Sequence, residues 1–195
     1  MKARFRSSIF YRKFKVVKEE DVNKFEQIIG HPLPASYKQF LFEINGGCLD
    51  TTYFRAPLDQ SSIEVINEFF GLDVHEKIDY SNPEHSTKHA SNLLYEWDKL
   101  QSLCGMPDFM LRIAYTNVPN DVLLSLGKDD YGYIYYGHTE LGTVTDYNER
   151  RAKRTSNTQE LHKLGFRLIA HDFDDLLNSA IEMTDEEFIN YSPFD

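Results

Sequence analysis

His138 and Glu140 alternate in Gly137-His138-Thr139-Glu140, and residues two apart on a strand share one face. A histidine beside a carboxylate can move protons as a general acid or base, or it can simply hold a hydrogen bond. The hydrogen-bonded pair is the reading adopted, and no catalytic residue is assigned. His85 and His89 stand at i, i+4 and would share a helical face, but the glutamate of H-E-x-x-H is missing and Pro83 closely precedes them. They read as solvated loop; no metal and no other cofactor is expected. The phosphate-cradling patterns G-x-x-x-x-G-K-[ST] and G-x-G-x-x-G do not occur, nor does the nucleophile setting G-x-S-x-G. Gly46-Gly47 follows a helical stripe, whereas a phosphate loop precedes a helix so that its free N–H groups meet the anion. Its polarity is therefore wrong for a ligand loop.

What the residues do offer is a contact surface. Asp129, Asp130, Tyr131, Tyr133, Tyr135, Tyr136 and Glu140 set acids beside tyrosines, and tyrosine is favoured at interfaces for its large contact area. Acidic charge steers a basic partner and speeds encounter. If the strand alternates, half of these tyrosines face the core.

The charge distribution points the same way. The chain of 195 residues has a formal charge of −10. Residues 1 to 18 form a basic arm with seven Lys/Arg and no acid, so the remaining 177 residues carry 14 basic and 31 acidic side chains, a balance of −17. Such a body repels nucleic acid and membrane surfaces and attracts basic proteins. Neither nucleic acid nor membrane is expected as a partner. No apolar run reaches the ~18 to 20 residues of a membrane span, and the N-terminus lacks the apolar centre of a secretory signal, so a cytoplasmic location is expected. Cys48 and Cys104 lie outside any C-x-x-C spacing and read as reduced thiols.

The elements that must position these groups follow from periodicity. Phe14 to Val17 reads as a first strand with a basic solvent face. Glu19, Glu20 and Asp21 suit a helix N-terminus, Phe25, Ile28 and Ile29 form its apolar face, and Gly30 ends it. Pro32 and Pro34 turn the chain, with Pro34 at the start of a second helix. Tyr37, Phe40, Leu41 and Ile44 recur at i, i+3, i+4 and i+7, and Asn45-Gly46-Gly47 tolerates the left-handed backbone that stops a helix. Strands are expected at 51–54, 63–70, 112–114, 122–126 and 131–136, with a further one at 142–146. The pair 122–126 and 131–136 is joined by a turn at Gly127-Lys128-Asp129-Asp130. A helix is expected at 92–103 with Leu93, Leu94, Trp97 and Leu100 inward. Another runs from Phe173 to Ile181 behind Asp172, and Thr184-Asp185-Glu186-Glu187 fits a capping box. The order of elements argues a single α+β domain over 1–195: a mainly antiparallel sheet of about five or six strands with helices on one side.

Taken with their spacing, Glu20, Phe25, Glu26, Gly30, Leu33, Pro34, Tyr37, Phe40, Leu41, Asn45, Gly46 and Gly47 resemble the N-terminal signature of the SUKH superfamily. The segment 106–114 resembles that family's following strand pattern, 122–126 the next, 133–140 its Asp-His-Glu segment, and 173–181 its closing helix. The chain departs from the pattern at Arg112, where the family has proline, at Asn120-Asp121 in place of Gly-Asp, and at Thr139, which separates His138 from Glu140. The resemblance implies a non-enzymatic binding protein. It includes bacterial immunity proteins that neutralise toxins and a fungal regulator of cell-wall synthesis. A basic toxin domain, such as a nuclease, is the expected partner; the alternative is a regulatory module with an endogenous protein partner.

Overall fold

The protein is described here from a computed structural model covering residues 10–12, 14–49, 53–58, 63–74, 91–103, 106–116, 120–137 and 166–181. Helix α1 spans Glu19–Ile29 and begins with Glu19, Glu20 and Asp21 in its first turn. The Asp21 carboxylate accepts the Lys18 backbone N–H at 3.0 Å, so the acids satisfy a free donor as well as complementing the helix dipole. Its buried face is Val22, Phe25 and Ile29. Ile28, expected inward, is exposed, because the stripe runs i, i+3, i+7 and leaves i+6 on the outer flank. Gly30 closes the helix at φ 77°.

Helix α2 spans Ala35–Glu43 behind Pro34, and Tyr37, Phe40, Leu41 and Ile44 are all buried as the periodicity requires. Asn45, Gly46 and Gly47 follow with φ of 56°, 76° and 132°. Helix α3 spans Leu93–Leu103, and α4 spans Phe173–Asn178, where the Asp172 carboxylate accepts the Asp175 N–H at 2.7 Å.

Nine strand segments are present among the described residues: β1 Phe10–Arg12, β2 Gly47–Leu49, β3 Tyr53–Arg55, β4 Ile63–Phe69, β5 Met110–Thr116, β6 Asp121–Ser125, β7 Ile134–Gly137, β8 Arg167–Ala170 and β9 Ala180–Ile181. Their order is β1-β2-β4-β5-β6-β7-β8, with β3 pairing β4 and β9. Every strand pair is antiparallel. The sheet curls: the Leu58 N–H, just past β3, donates to the Ile169 carbonyl of β8 at 3.2 Å. The α+β class with an antiparallel sheet is thus as expected, with more strands than five or six.

Several boundaries differ from expectation. The first strand is Phe10–Arg12, not 14–17, because the Lys15 carbonyl is taken by the Asn45 side-chain amide at 2.6 Å and is not offered to a neighbouring strand. The last helix stops at Asn178, and Ala180 and Ile181 instead pair with Phe54 and Tyr53. An open strand edge overrides a local helical stripe there. Segments β2 and β8 were not anticipated. The expected strand at 142–146 and the capping box at 184–187 lie outside the described residues.

The two faces of the sheet are filled differently. Register puts Leu111, Leu124 and Ile134 in one row and Met110, Leu123, Ser125 and Tyr135 on the reverse side. The first face meets α1, α2 and α4. Its centre is a ring cluster in which Phe173 touches Tyr37 (4.9 Å), Phe40 (5.0 Å) and Phe69 (5.7 Å) edge-on, each such pair adding about 0.5–1.5 kcal/mol beyond area burial. Helix α3 lies across the reverse face, where Leu100 packs with Met106, Met110, Leu123, Tyr135 and Phe166. The expectation of helices on one side therefore holds for three of the four described helices. Strand β6 is buried along its whole length, which follows from cover on both faces.

Candidate partner-binding surface

The acidic and aromatic residues singled out in sequence divide into an outer and an inner set. Asp130 is only 5% exposed; its carboxylate accepts the Ser125 hydroxyl at 2.7 Å and the Tyr135 hydroxyl at 2.8 Å. Burial, then the bond to Asp130 and its charge, push the Tyr135 phenol far above its ordinary pKa, so it stays a donor. Tyr136 is also interior: its hydroxyl accepts from Asn120 Nδ2 at 3.0 Å and Arg167 lies over its ring. Burial takes Asp130, Tyr135 and Tyr136 out of direct reach of a partner. Two of the tyrosines are thus core residues: as neighbours on β7 they point to opposite faces, and both are buried because each face of the sheet is covered, whereas Tyr131 belongs to the turn and not to a strand.

Asp129 and Tyr131 are exposed and Tyr133 is half-buried. The Tyr131 hydroxyl donates to the Pro32 carbonyl at 3.2 Å, and a Cβ at the neighbouring Gly132 would lie 3.9 Å from Pro34 Cγ. Partial burial, then the charge of Glu26, raise the Tyr131 phenol. Tyr133 lies against His171 with 5.0 Å between ring centres and the rings tilted at 56°, a contact set by the pairing of Ile134 with Ala170 one residue on. Glu140 lies outside the described residues, as do His138, His85, His89 and Cys104; Cys48 is half-buried on β2.

The signature residues prove to be packing and backbone devices. Phe25, Leu33, Tyr37, Phe40 and Leu41 are core, and Gly30, Pro34, Gly46 and Gly47 shape the chain between them. Asn45 does more than stop α2. Its buried amide donates to the Lys15 carbonyl (2.6 Å) and the Leu72 carbonyl (3.0 Å), and its Oδ1 accepts the Leu72 N–H at 2.7 Å. One side chain thus ties two remote backbone segments to the end of α2 through three bonds. Gly46 is held at the same junction, where a Cβ would fall 2.6 Å from the backbone of Phe70 and Gly71.

An ion cluster was missed in sequence. Arg112 on β5 pairs with Glu96 of α3 at 2.6 Å and with Asp121 of β6, both acids being 3% exposed in their side chains. Burial raises the Glu96 pKa, and the nearby Arg112 opposes that rise without cancelling it. On Arg112, burial opposes the charge, yet Asp121 and Glu96 outweigh it and raise its pKa. The signal available was Arg112 itself, a charge among apolar strand residues where the resembled pattern has proline.

A cleft of about 590 Å³ separates residues 14–18 from α1 and residues 72–74, with Lys15, Lys18 and Lys24 facing Glu20, Asp21 and Asp73. Its mixed lining selects neither charge. Among the described residues, no group of three or more His, Cys, Asp or Glu is placed to hold a metal ion, and no helix is long and apolar enough to cross a membrane.

Comparison with curated proteins returns no match. The family model described as SMI1 / KNR4 family (SUKH-1) matches residues 16–179, a span that runs from the strap before α1 through the signature and strands β2 to β8 to the end of α4. The chain therefore belongs to the SMI1 / KNR4 family, SUKH-1.

Proposed function

We propose that this protein is an immunity protein: it binds a bacterial toxin in the cytoplasm and neutralises it by forming a complex, without catalysing a reaction. Residues 1–195 act as one domain in this reading. Family membership supports a binding role, and the charge balance of −17 outside the basic arm is the single observation that narrows the partner. A nuclease toxin must carry positive charge to grip phosphate, and an acidic body accelerates encounter with such a domain. The alternative is a regulatory module with an endogenous partner, which shares the family but not the requirement for a basic one.

The test is co-expression with each toxin domain encoded beside this chain in its source genome. Rescue of growth together with a co-purifying complex is expected for one of them. Failure of both with every candidate removes the immunity reading and leaves the regulatory one.

A further inference from the structure

Three segments meet at one end of the fold: the α1–α2 corner at 31–34, the β6–β7 turn at 126–133, and the β8–α4 junction at 171–172. Tyr131 ties the turn to the corner through Pro32, and Tyr133 ties it to the junction through His171. Joining β6 to β7 needs as few as two residues, yet this turn is longer and built around a buried carboxylate. Asp130 anchors it from below through Ser125 and Tyr135. The backbone is closed by Gly132 N–H to the Ser125 carbonyl (2.8 Å), Tyr133 N–H to the Asp130 carbonyl (2.9 Å) and Leu126 N–H to the Phe109 carbonyl (2.7 Å). The outcome is an exposed tyrosine, 43% accessible, fixed at both its backbone and its hydroxyl. Rigid aromatic side chains lose little entropy on binding, which is what makes them anchors of interfaces. Beside it, Asp129 is exposed and has no ion pair or hydrogen bond among the described residues.

We infer that this end of the molecule is the docking face, and that its occupant is a lysine- or arginine-bearing loop of a basic toxin domain, seated on Tyr131 and Tyr133 and paired with Asp129. The inference rests on the immunity reading and names its contact surface. Charge complementarity selects the occupant: the body carries −17, and a guanidinium or ammonium both stacks on a tyrosine face and pairs with a carboxylate. The inner residues Asp130 and Tyr135 act only by positioning the turn.

The experiment uses the full chain and the toxin domain that it captures on co-expression, with association and dissociation rates measured at low and high salt. Tyr131→Ala should weaken the complex at least about tenfold, mainly through faster dissociation. Asp129→Lys should slow association and flatten its salt dependence. Tyr115→Ala is the control, since Tyr115 is 37% exposed but sits with Glu68 and Arg112 on the reverse face; it should leave binding within about twofold. Tyr131→Phe keeps the ring and removes the bond to Pro32, so it and Asp129→Lys decide the matter should Tyr131→Ala fold poorly. If the unsubstituted chain captures no toxin, the immunity reading fails and this face fails with it. If it captures one, and Tyr131 and Asp129 variants bind as tightly as the unsubstituted chain, the immunity reading stands and this face is wrong.

Discussion

Gly30 and Gly46 share nearly the same backbone conformation, φ 77° and 76°, but not the same surroundings. A Cβ at Gly30 would meet nothing within 4 Å, whereas at Gly46 it would fall 2.6 Å from Gly71 N, 2.6 Å from the Phe70 carbonyl carbon and 2.7 Å from the Phe69 carbonyl oxygen. Placing alanine in the left-handed region costs roughly 1–2 kcal/mol, and the reduced freedom of the unfolded chain returns about 0.4–1 kcal/mol. Gly30→Ala should therefore destabilise by only about 0.5–1 kcal/mol. Gly46→Ala adds a clash with backbone atoms that no rotamer change can relieve, and overpacking of this kind costs a further 1–3 kcal/mol or so. The sum is about 2–4 kcal/mol, or a melting temperature lower by roughly 6–12 °C for a chain of this size. Urea unfolding of the two variants in parallel measures the difference, which isolates the close approach of residues 46 and 71 from the conformational term. Equal destabilisation, within about 0.5 kcal/mol, would refute the reasoning that the glycine is required by space as well as by angle.

Other outcomes follow from single side chains. Tyr37 is fully buried and its hydroxyl has no hydrogen-bond partner among the described residues, so Tyr37→Phe should be neutral or stabilising by up to about 2 kcal/mol in denaturant melts; a clear loss would show that the hydroxyl is satisfied. Asn45→Ala removes three hydrogen bonds and strands buried backbone groups of Leu72, for an expected loss of about 3 kcal/mol, whereas a loss under about 1 kcal/mol would mean that the splice is dispensable. Because burial raises the Glu96 pKa in the folded state, the folded protein binds protons more tightly there. The stabilisation this confers is present below the ordinary glutamate value of about 4.3 and is lost as pH rises through the raised value. Glu96→Gln should remove that downward slope from a plot of unfolding free energy against pH; an unchanged slope assigns it to another group. Arg112→Met leaves two buried carboxylates without their cation and should destabilise by about 3–5 kcal/mol, measurable by thermal unfolding.

How legible the fold was depends on the range of the interactions involved. Both N-terminal helices could be read because their stripes, acids, prolines and terminal glycine act within a few residues. The α4 start was equally plain from Asp172. In contrast, β2 and β8 are short and lack distinctive alternation, and their identity as strands lies in backbone bonds to Glu68, Phe69, Ile134 and Tyr135 far away in the chain. Ala180 and Ile181 continue a helical stripe in sequence but answer to the edge of β3. The candidate surface shows the same division: tyrosines beside acids were visible in the order of residues, while only packing sorted Tyr135 and Tyr136 inward and left Tyr131 outside.

The sequence by itself determined the α+β class, the buried stripe of α2 and most of that of α1, and the acidic character of the body, because composition and local periodicity carry all three; the family came from the resemblance of residues 20–47 to its N-terminal signature. Only the tertiary structure decided that Asn45 bridges residues 15 and 72, that Arg112 gathers Glu96 and Asp121, and that the β6–β7 turn is pinned to Pro32 and His171. Those arrangements depend on groups brought together by the curl of the sheet and the placement of α3 across its reverse face, and no local pattern records such a meeting.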